Sequence, residues 1–343
     1  MDRAVLLIGN FLTQHGAARQ VCEDLAPRLE ADGWRVITVS SRSGRLSRLA
    51  DMVLTITARR RDYGVALVDV FSGPSFVWAE AACLALAAMR KPIVLTMHGG
   101  NLPTFARRHP HRVQRLLGMA RAVTAPSAFL ADALAPYRTG IQVLPNGIDL
   151  ASYPFRVRRD PQPRMVWVRS MHAMYDPAVA IRVLSLVSRR HPQASLDMVG
   201  PDKGDGSLAG CRRLAEDLGV LDLVRFVGGV AKDQVPNWLS RSDFFLNTTT
   251  VDNAPVSVVE AMACGLIVVS TDAGGLPNLI DHGRTGYLLP VGDAQGMADI
   301  IIKACGGETG ARAVSEAGHM DASSRDWPCV VAQWRGLLQE VGA

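Results

Sequence analysis

The chain has 343 residues, 48% of them hydrophobic and 20% charged, which accommodates two globular domains with sizeable cores at roughly 150 residues each. Six cysteines (Cys22, Cys83, Cys211, Cys264, Cys305 and Cys329) form no CxxC pair and have no His cluster beside them, which excludes a disulfide frame and a zinc site in favour of reduced thiols. The net charge of +5 is modest and the basic stretches lack interleaved aromatic residues, which argues against nucleic acid as a partner.

In chain order, the apolar run Ala4 to Ile8 is too short for a signal peptide or a membrane span. Phe76 to Met89 is interrupted by Glu80 and reads as a buried helix. The expectation is a cytoplasmic protein. Apolar runs alternate with helical patterns almost throughout, the signature of βα units and parallel sheets. Strands are predicted at Ala4–Ile8, Val36–Ser40, Ala66–Val70, Ile93–Met97, Ala122–Ala125 and Gln142–Leu144, with helices such as Ala17–Asp32 and Ser75–Met89 between them. Pro145-Asn146-Gly147 marks a turn and Tyr153 to Pro163 is rich in proline and arginine, so the first domain is placed at 1–152. A second series runs through Met165–Val168, Ser195–Val199, Val224–Val227, Phe244–Asn247, Ile267–Ser270 and Gly286–Leu289, giving a domain at 153–325. Trp327 to Val341 has helical spacing, so 326–343 reads as a closing helix packing back on the N-terminal domain. The expected architecture is α/β: two doubly wound, Rossmann-like domains facing across a cleft. Ligands bind beyond the carboxyl ends of such strands, which makes the cleft the default site.

Basic residues are unevenly spread. Arg42, Arg45, Arg48, Arg59, Arg60 and Arg61 lie in the first third, and Arg107, Arg108, His109, His111, Arg112, Arg115 and Arg121 follow on one predicted helix. Two readings stand: a solvated basic face, or a surface for anionic lipid or an anionic acceptor, with peripheral contact at the inner face of the membrane.

Val251 to Gly265 carries the most chemistry. Asp252 lies in a polar loop, Pro255 opens a short apolar helix bearing Glu260, and Gly265 stops it. Proline at the first helical position leaves the following amides free and the helix dipole pointing into the loop, a place for an anion such as a diphosphate. Glu260 could reach a diol, and Asn253, Ala254, Pro255 and Val256 are assigned to donor binding with it. Elsewhere, Gly9 and Gly16 bracket the turn after the first strand without making a GxGxxG fingerprint. His98 ends a strand ahead of Gly99-Gly100, placed either to touch substrate by hydrogen bonding or proton transfer, or to cap the next turn. Arg169 ends the first strand of the second series and could grip a diphosphate in bidentate fashion. Lys203, in a Gly-rich loop at an equivalent strand end, reads equally as a ligand and as a surface charge. No GxSxG, HExxH, GxxxxGK[ST] or DxD motif is present. Phosphate charge must then be met by arginine, lysine and helix ends, without a metal or other cofactor.

These residues resemble the retaining glycosyltransferases of the two-domain GT-B fold, family four, over nearly the whole chain. Pro145-Asn146-Gly147-Ile148-Asp149 is similar to that family's PNGxD linker. Asp252 and Glu260 are similar to its paired acids, and Glu260-Ala261-Met262-Ala263-Cys264-Gly265 to its EAMAxG helix. Gly274-Gly275 and Gly283-Arg284-Thr285-Gly286 match the turns after it. The resemblance implies that Glu260 holds the ribose hydroxyls of a nucleotide-sugar, that Asp252 and His98 lie by the donor sugar, and that the Gly16 amide meets the diphosphate. It assigns Arg169 to neutralising the leaving diphosphate, which itself helps deprotonate the attacking hydroxyl. Catalysis then rests on positioning and charge stabilisation, without a carboxylate nucleophile.

Three positions depart from the family pattern. Asp252 replaces the commoner glutamate, Met174 stands where a lysine is expected five residues after Arg169, and Asn278 where many relatives carry glutamate. Lys203 is the candidate substitute for the missing lysine. The sequence reading is a metal-independent transferase moving a sugar from a UDP- or GDP-type donor to a sugar, lipid-linked or small-molecule acceptor. Its alternatives are a non-catalytic nucleotide-sugar-binding protein or a sugar-nucleotide epimerase on the same fold.

Overall fold

The computed structural model describes residues 3–12 and 20–342. The chain forms two compact units, one of residues 1–147 with 327–343 and one of 148–326. They divide after Gly147 and Asp326, a few residues from the 152 and 325 read from the sequence.

The first unit is built on a parallel sheet of β1 (Ala4–Ile8), β2 (Arg35–Val39), β3 (Val65–Val70), β4 (Ile93–Met97), β5 (Ala122–Ala125) and β6 (Gln142–Val143), in the order β2-β1-β3-β4-β5-β6. β1 and β4 are buried at every position, because parallel strands covered on both faces become continuous apolar runs. Alternate side chains still part company. Ala4, Leu6 and Ile8 pack with α2 (Arg45–Ala58) and α3 (Phe76–Ala88), while Val5 and Leu7 pack with α1 (Val21–Ala31) and α13 (Trp327–Gly342). The closing helix is therefore part of the first unit's core. Gly147 is required at its entry: a Cβ there would stand 2.5 Å from the Trp327 ring.

The predicted basic helix is two helices, α4 (Leu102–Arg108) and α5 (Pro110–Gly118), followed after β5 by α6 (Ala128–Leu134). Pro110 has no amide hydrogen to continue α4 and instead suits the first turn of α5. Arg112 is not a free surface charge either, since it donates to both Glu80 oxygens and lies over the Phe76 ring. Arg48, counted with the surface arginines in the sequence, is 3% exposed.

The second unit holds β7 (Arg164–Val168), β8 (Ser195–Val199), β9 (Val224–Gly228), β10 (Phe244–Asn247), β11 (Ile267–Thr271) and β12 (Tyr287–Leu289), parallel, in the order β12-β11-β10-β7-β8-β9. One face packs on α7 (Pro177–Ser188), α8 (Ser207–Asp217) and α11 (Ala294–Cys305); the other packs on α9 (Val235–Arg241) and α10 (Val256–Ala263). α12 (Ala311–Ser323) completes the unit. The Pro/Arg-rich entry is not a loose linker. Arg156, Arg158 and Arg164 converge on the buried Asp243 carboxylate at the start of β10, and Arg158 also donates to the Ser242 carbonyl at 2.8 Å.

Each sheet reverses its direction of winding once, between β1 and β3 in the first unit and between β7 and β10 in the second. At such a reversal the loops run to opposite sides of the sheet, and doubly wound sheets take ligands at the strands' carboxyl ends there.

Candidate functional site

In the second unit, Arg169 follows β7 and Asp252 lies in the loop after β10, so both flank the winding reversal. They form an ion pair, and each side chain is 17% exposed. The Arg169 guanidinium lies 4.9 Å from the Tyr175 ring centroid, and its Nε has no hydrogen-bond partner among the described residues. Asp252 Oδ1 accepts from the Asn253 amide at 2.8 Å. The backbone around the pair is set by glycines. A Cβ on Gly200 would stand 1.6 Å from the Arg169 carbonyl oxygen, and one on Gly275 would stand 1.9 Å from the Asn253 carbonyl oxygen. The Gly275 amide instead donates to the Asp252 carbonyl at 2.9 Å. The Gly-Gly turn is thus the floor on which the Asp252 loop rests.

Glu260, on α10, is 2% exposed. Its carboxylate pairs with Lys232, which lies in the short turn after β9 and is 55% exposed. Burial first, and the neighbouring Glu260 carboxylate second, push the Tyr153 phenol above its ordinary range. Tyr153 therefore stays protonated and can donate to Glu260. Pro255 is the N-cap of α10 rather than its first helical residue, one position earlier than the sequence reading. Asn253 is buried and Ser257, in the first turn, has a buried hydroxyl without a partner among the described residues. Asn253, Ala254, Pro255 and Val256 form the approach to this helix start, at the positive end of its dipole.

Lys203 is exposed, and its amide donates to the Met171 carbonyl at 3.2 Å. No side-chain hydrogen bond or ion pair joins it to Arg169 or Asp252 among the described residues. Met174 is 42% exposed, and its carbonyl accepts from the Thr250 amide at 2.9 Å, so the departing residue still ties its turn to the loop bearing Asp252.

The first unit has its own cluster. His98, after β4, is 8% exposed, stacks on Phe71 with centroids 5.0 Å apart, and brings Nε2 to 3.0 Å from Asp69 Oδ1. Burial, and then the Asp69 charge, push the Cys22 thiol above its ordinary range, so the thiol remains a neutral neighbour of that carboxylate. Gly16 lies outside the described residues.

Sequence reasoning missed Lys232, Tyr153 and Asp69. Asp69 was detectable as the lone carboxylate in the apolar run Val65 to Val70, and Lys232 by its place after a strand's carboxyl end. Tyr153 carried no local signal.

Two doubly wound units with these residues at their strand ends are consistent with a glycosyltransferase scaffold, and comparison with known families assigns the class. The family described as "Glycosyl transferases group 1" matches residues 154–319, and "Glycosyltransferase Family 4" matches residues 16–152. The chain belongs to this family of glycosyltransferases, has the GT-B fold of two Rossmann-like domains, and is an enzyme of the transferase class. It is 29% identical, over 76% of this chain and 72% of the relative, to a "GDP-mannose-dependent alpha-(1-6)-phosphatidylinositol monomannoside mannosyltransferase" of Mycobacterium tuberculosis. A "D-inositol 3-phosphate glycosyltransferase" of Paenarthrobacter aurescens is 27% identical over 63% of this chain and 56% of its own. Among solved structures, Anabaena Alr3699/HepE in complex with UDP and glucose superposes with a TM-score of 0.76 at 20% identity, covering 98% of this chain and 100% of that one. At that identity the likeness is one of fold.

Proposed function

We propose that the protein moves a sugar from a nucleotide-diphosphate donor of UDP or GDP type to a hydroxyl acceptor, keeping the anomeric configuration. The observation that carries this is the placement of Arg169, Asp252 and Glu260 in one unit, beside its winding reversal and around the start of α10. A guanidinium with an unused Nε suits a leaving diphosphate. A buried carboxylate accepts well from a ribose diol, because both hydroxyls can donate to it. Asp252 is assigned to the donor sugar's hydroxyls, and His98 likewise to the donor sugar. Gly16 is assigned to the diphosphate. Lys203 stays a candidate second charge for the diphosphate, and unchanged turnover in Lys203→Ala would remove it.

The relatives' names, and the UDP in the structural neighbour, support nucleotide-sugars as the donor class and glycolipid or small glycoside acceptors. Thermal shifts with UDP, GDP, ADP and their common sugars test the donor, because a ligand that binds only the folded state raises its melting point. Slow donor hydrolysis that disappears in Glu260→Ala is expected. Tight binding with no turnover of any donor and acceptor would favour a binding module, and a new nucleotide-sugar formed without acceptor would favour an epimerase. Peripheral contact of Arg107, Arg108 and Arg115 with anionic lipid belongs to the same reading. Co-sedimentation with acidic vesicles at low salt tests it, and no binding there ends it.

A further inference from the structure

We propose that Arg48 forms an oxyanion site in the first unit, taking a carboxylate or phosphate group carried by a substrate of the transfer reaction. The site sits at that unit's winding reversal. Arg48 shares a narrow pocket with Gly9 and Asn10 after β1, Asp69 and Phe71 at the end of β3, and Trp78 on α3.

Arg48 is 3% exposed. Its Nη2 donates to the Gly9 carbonyl at 2.8 Å and to Asn10 Oδ1, and its guanidinium lies 4.9 Å from the Trp78 ring centroid. Among the described residues its buried Nε has no hydrogen-bond partner and no carboxylate pairs with the guanidinium. Arg158, buried to the same degree, has the Asp243 carboxylate within 3.5 Å.

A charge taken out of water is expensive unless an opposite charge and hydrogen bonds meet it. Burial pulls both guanidinium groups below their ordinary range, but only Arg158 has a carboxylate beside it among the described residues. An external oxyanion would supply the missing partner, and the unused Nε–H suits the fork geometry of carboxylates and phosphates. The cavity beside it, about 20 Å³, admits a single water-sized group. It therefore receives one anionic oxygen rather than a whole sugar. Asp69 lines the same pocket but is turned to His98 Nε2 at 3.0 Å and to the Cys22 thiol.

The identity of the anion rests on the function proposed above. His98 shares Asp69 and Phe71 with the pocket and is assigned there to the donor sugar. The oxyanion then belongs either to the acceptor or to the C6 carboxylate of a uronate donor.

Calorimetric titration of the full chain with inorganic phosphate and with acetate tests the site. The wild type and Arg169→Ala, which lacks the other anion-facing guanidinium, should both bind. Arg48→Gln should weaken that binding at least about tenfold. Arg48→Lys keeps the charge without the fork and should fall between them with unchanged circular dichroism. Wild-type affinity in either Arg48 variant overturns the proposal. Transfer assays then separate the sources. Arg48→Gln should raise KM for a carboxylated or phosphorylated acceptor if the acceptor supplies the anion, or for UDP-glucuronate relative to UDP-glucose if the donor does. An equal effect on neutral and anionic substrates overturns the assignment. Loss of nucleotide binding in Glu260→Ala is measured independently of the phosphate titration, so the donor reading and the Arg48 site can fail separately.

Discussion

Lys232 places its ammonium on the Glu260 carboxylate, so the acid assigned to the ribose is already paired before any donor arrives. The two partners are unequal: Glu260 is 2% exposed and Lys232 is 55% exposed. Lysine can swing into water at little cost, whereas glutamate cannot follow it. In the proposed function the pair is a placeholder that a ribose diol displaces.

Lys232→Ala should lower the stability of the free protein by about 1 kcal/mol, the scale of a hydrogen bond lost at a partly exposed partner. Donor or nucleoside diphosphate should restore more of the melting temperature than in the wild type, because the diol then satisfies a carboxylate left without its cation. Equal ligand-induced shifts in the two proteins would count against the placeholder role.

The Gly-Gly turn gives a sharper steric test. Gly275→Ala puts a methyl 1.9 Å from the Asn253 carbonyl oxygen, so the Asp252 loop must move. We expect a stability loss of about 2 kcal/mol or more and a fall in kcat/KM of about 100-fold. Gly210, in α8 with open space where its Cβ would go, is the control. Gly210→Ala should stabilise by about 0.5–1 kcal/mol without touching kinetics. Denaturant midpoints and steady-state rates read both variants.

In the proposed function Asp69 is a positioning residue, reaching substrate only through His98. Asp69→Asn retains the size and one acceptor oxygen but removes the charge that orients the imidazole. A fall in kcat of roughly tenfold or more, with donor KM unchanged, is the expected split. A pure KM effect, or none, would show that the carboxylate is only part of the packing.

Alkaline pH should destabilise the fold through its buried thiols. Burial pushes Cys211 and Cys305 up to about 11 and Cys83 and Cys264 up to about 12, from an ordinary 9.0. Above pH 9 the unfolded chain releases thiol protons that the native state keeps, so stability present below 9 is lost as pH climbs toward 11–12. The slope is at most about 1.4 kcal/mol per pH unit for each thiol. Melting temperatures should fall between about pH 8 and 10.5, and Cys83→Ala should show a shallower fall. An unchanged slope would exclude the thiols as its cause.

Much of the fold was legible because buried parallel strands advertise themselves. Ala4–Ile8, Ile93–Met97, Ala122–Ala125, Ser195–Val199 and Phe244–Asn247 have the limits that their apolar runs indicated. The basic stretch was misjudged because Pro110 divides a pattern whose charge is continuous but whose backbone is not. Arg48 was misjudged because composition reports charge and says nothing of depth.

Asp252, Glu260 and Arg169 could be found from the sequence because each sits in a local pattern: a loop before proline, a helix with a glycine stop, a strand's carboxyl end. The sequence by itself thus determined the α/β class, the order of strands along the chain and the two acids, Asp252 and Glu260, that lie before and on α10. Only the tertiary structure decided the partners: Lys232 for Glu260 at a separation of 28 residues, Asp69 for His98 at 29, Arg169 for Asp252 at 83, and no carboxylate for Arg48 among the described residues. The reason is geometric. Helical and strand periodicities are local, but a site at a winding reversal is assembled from loops that only sheet order brings side by side.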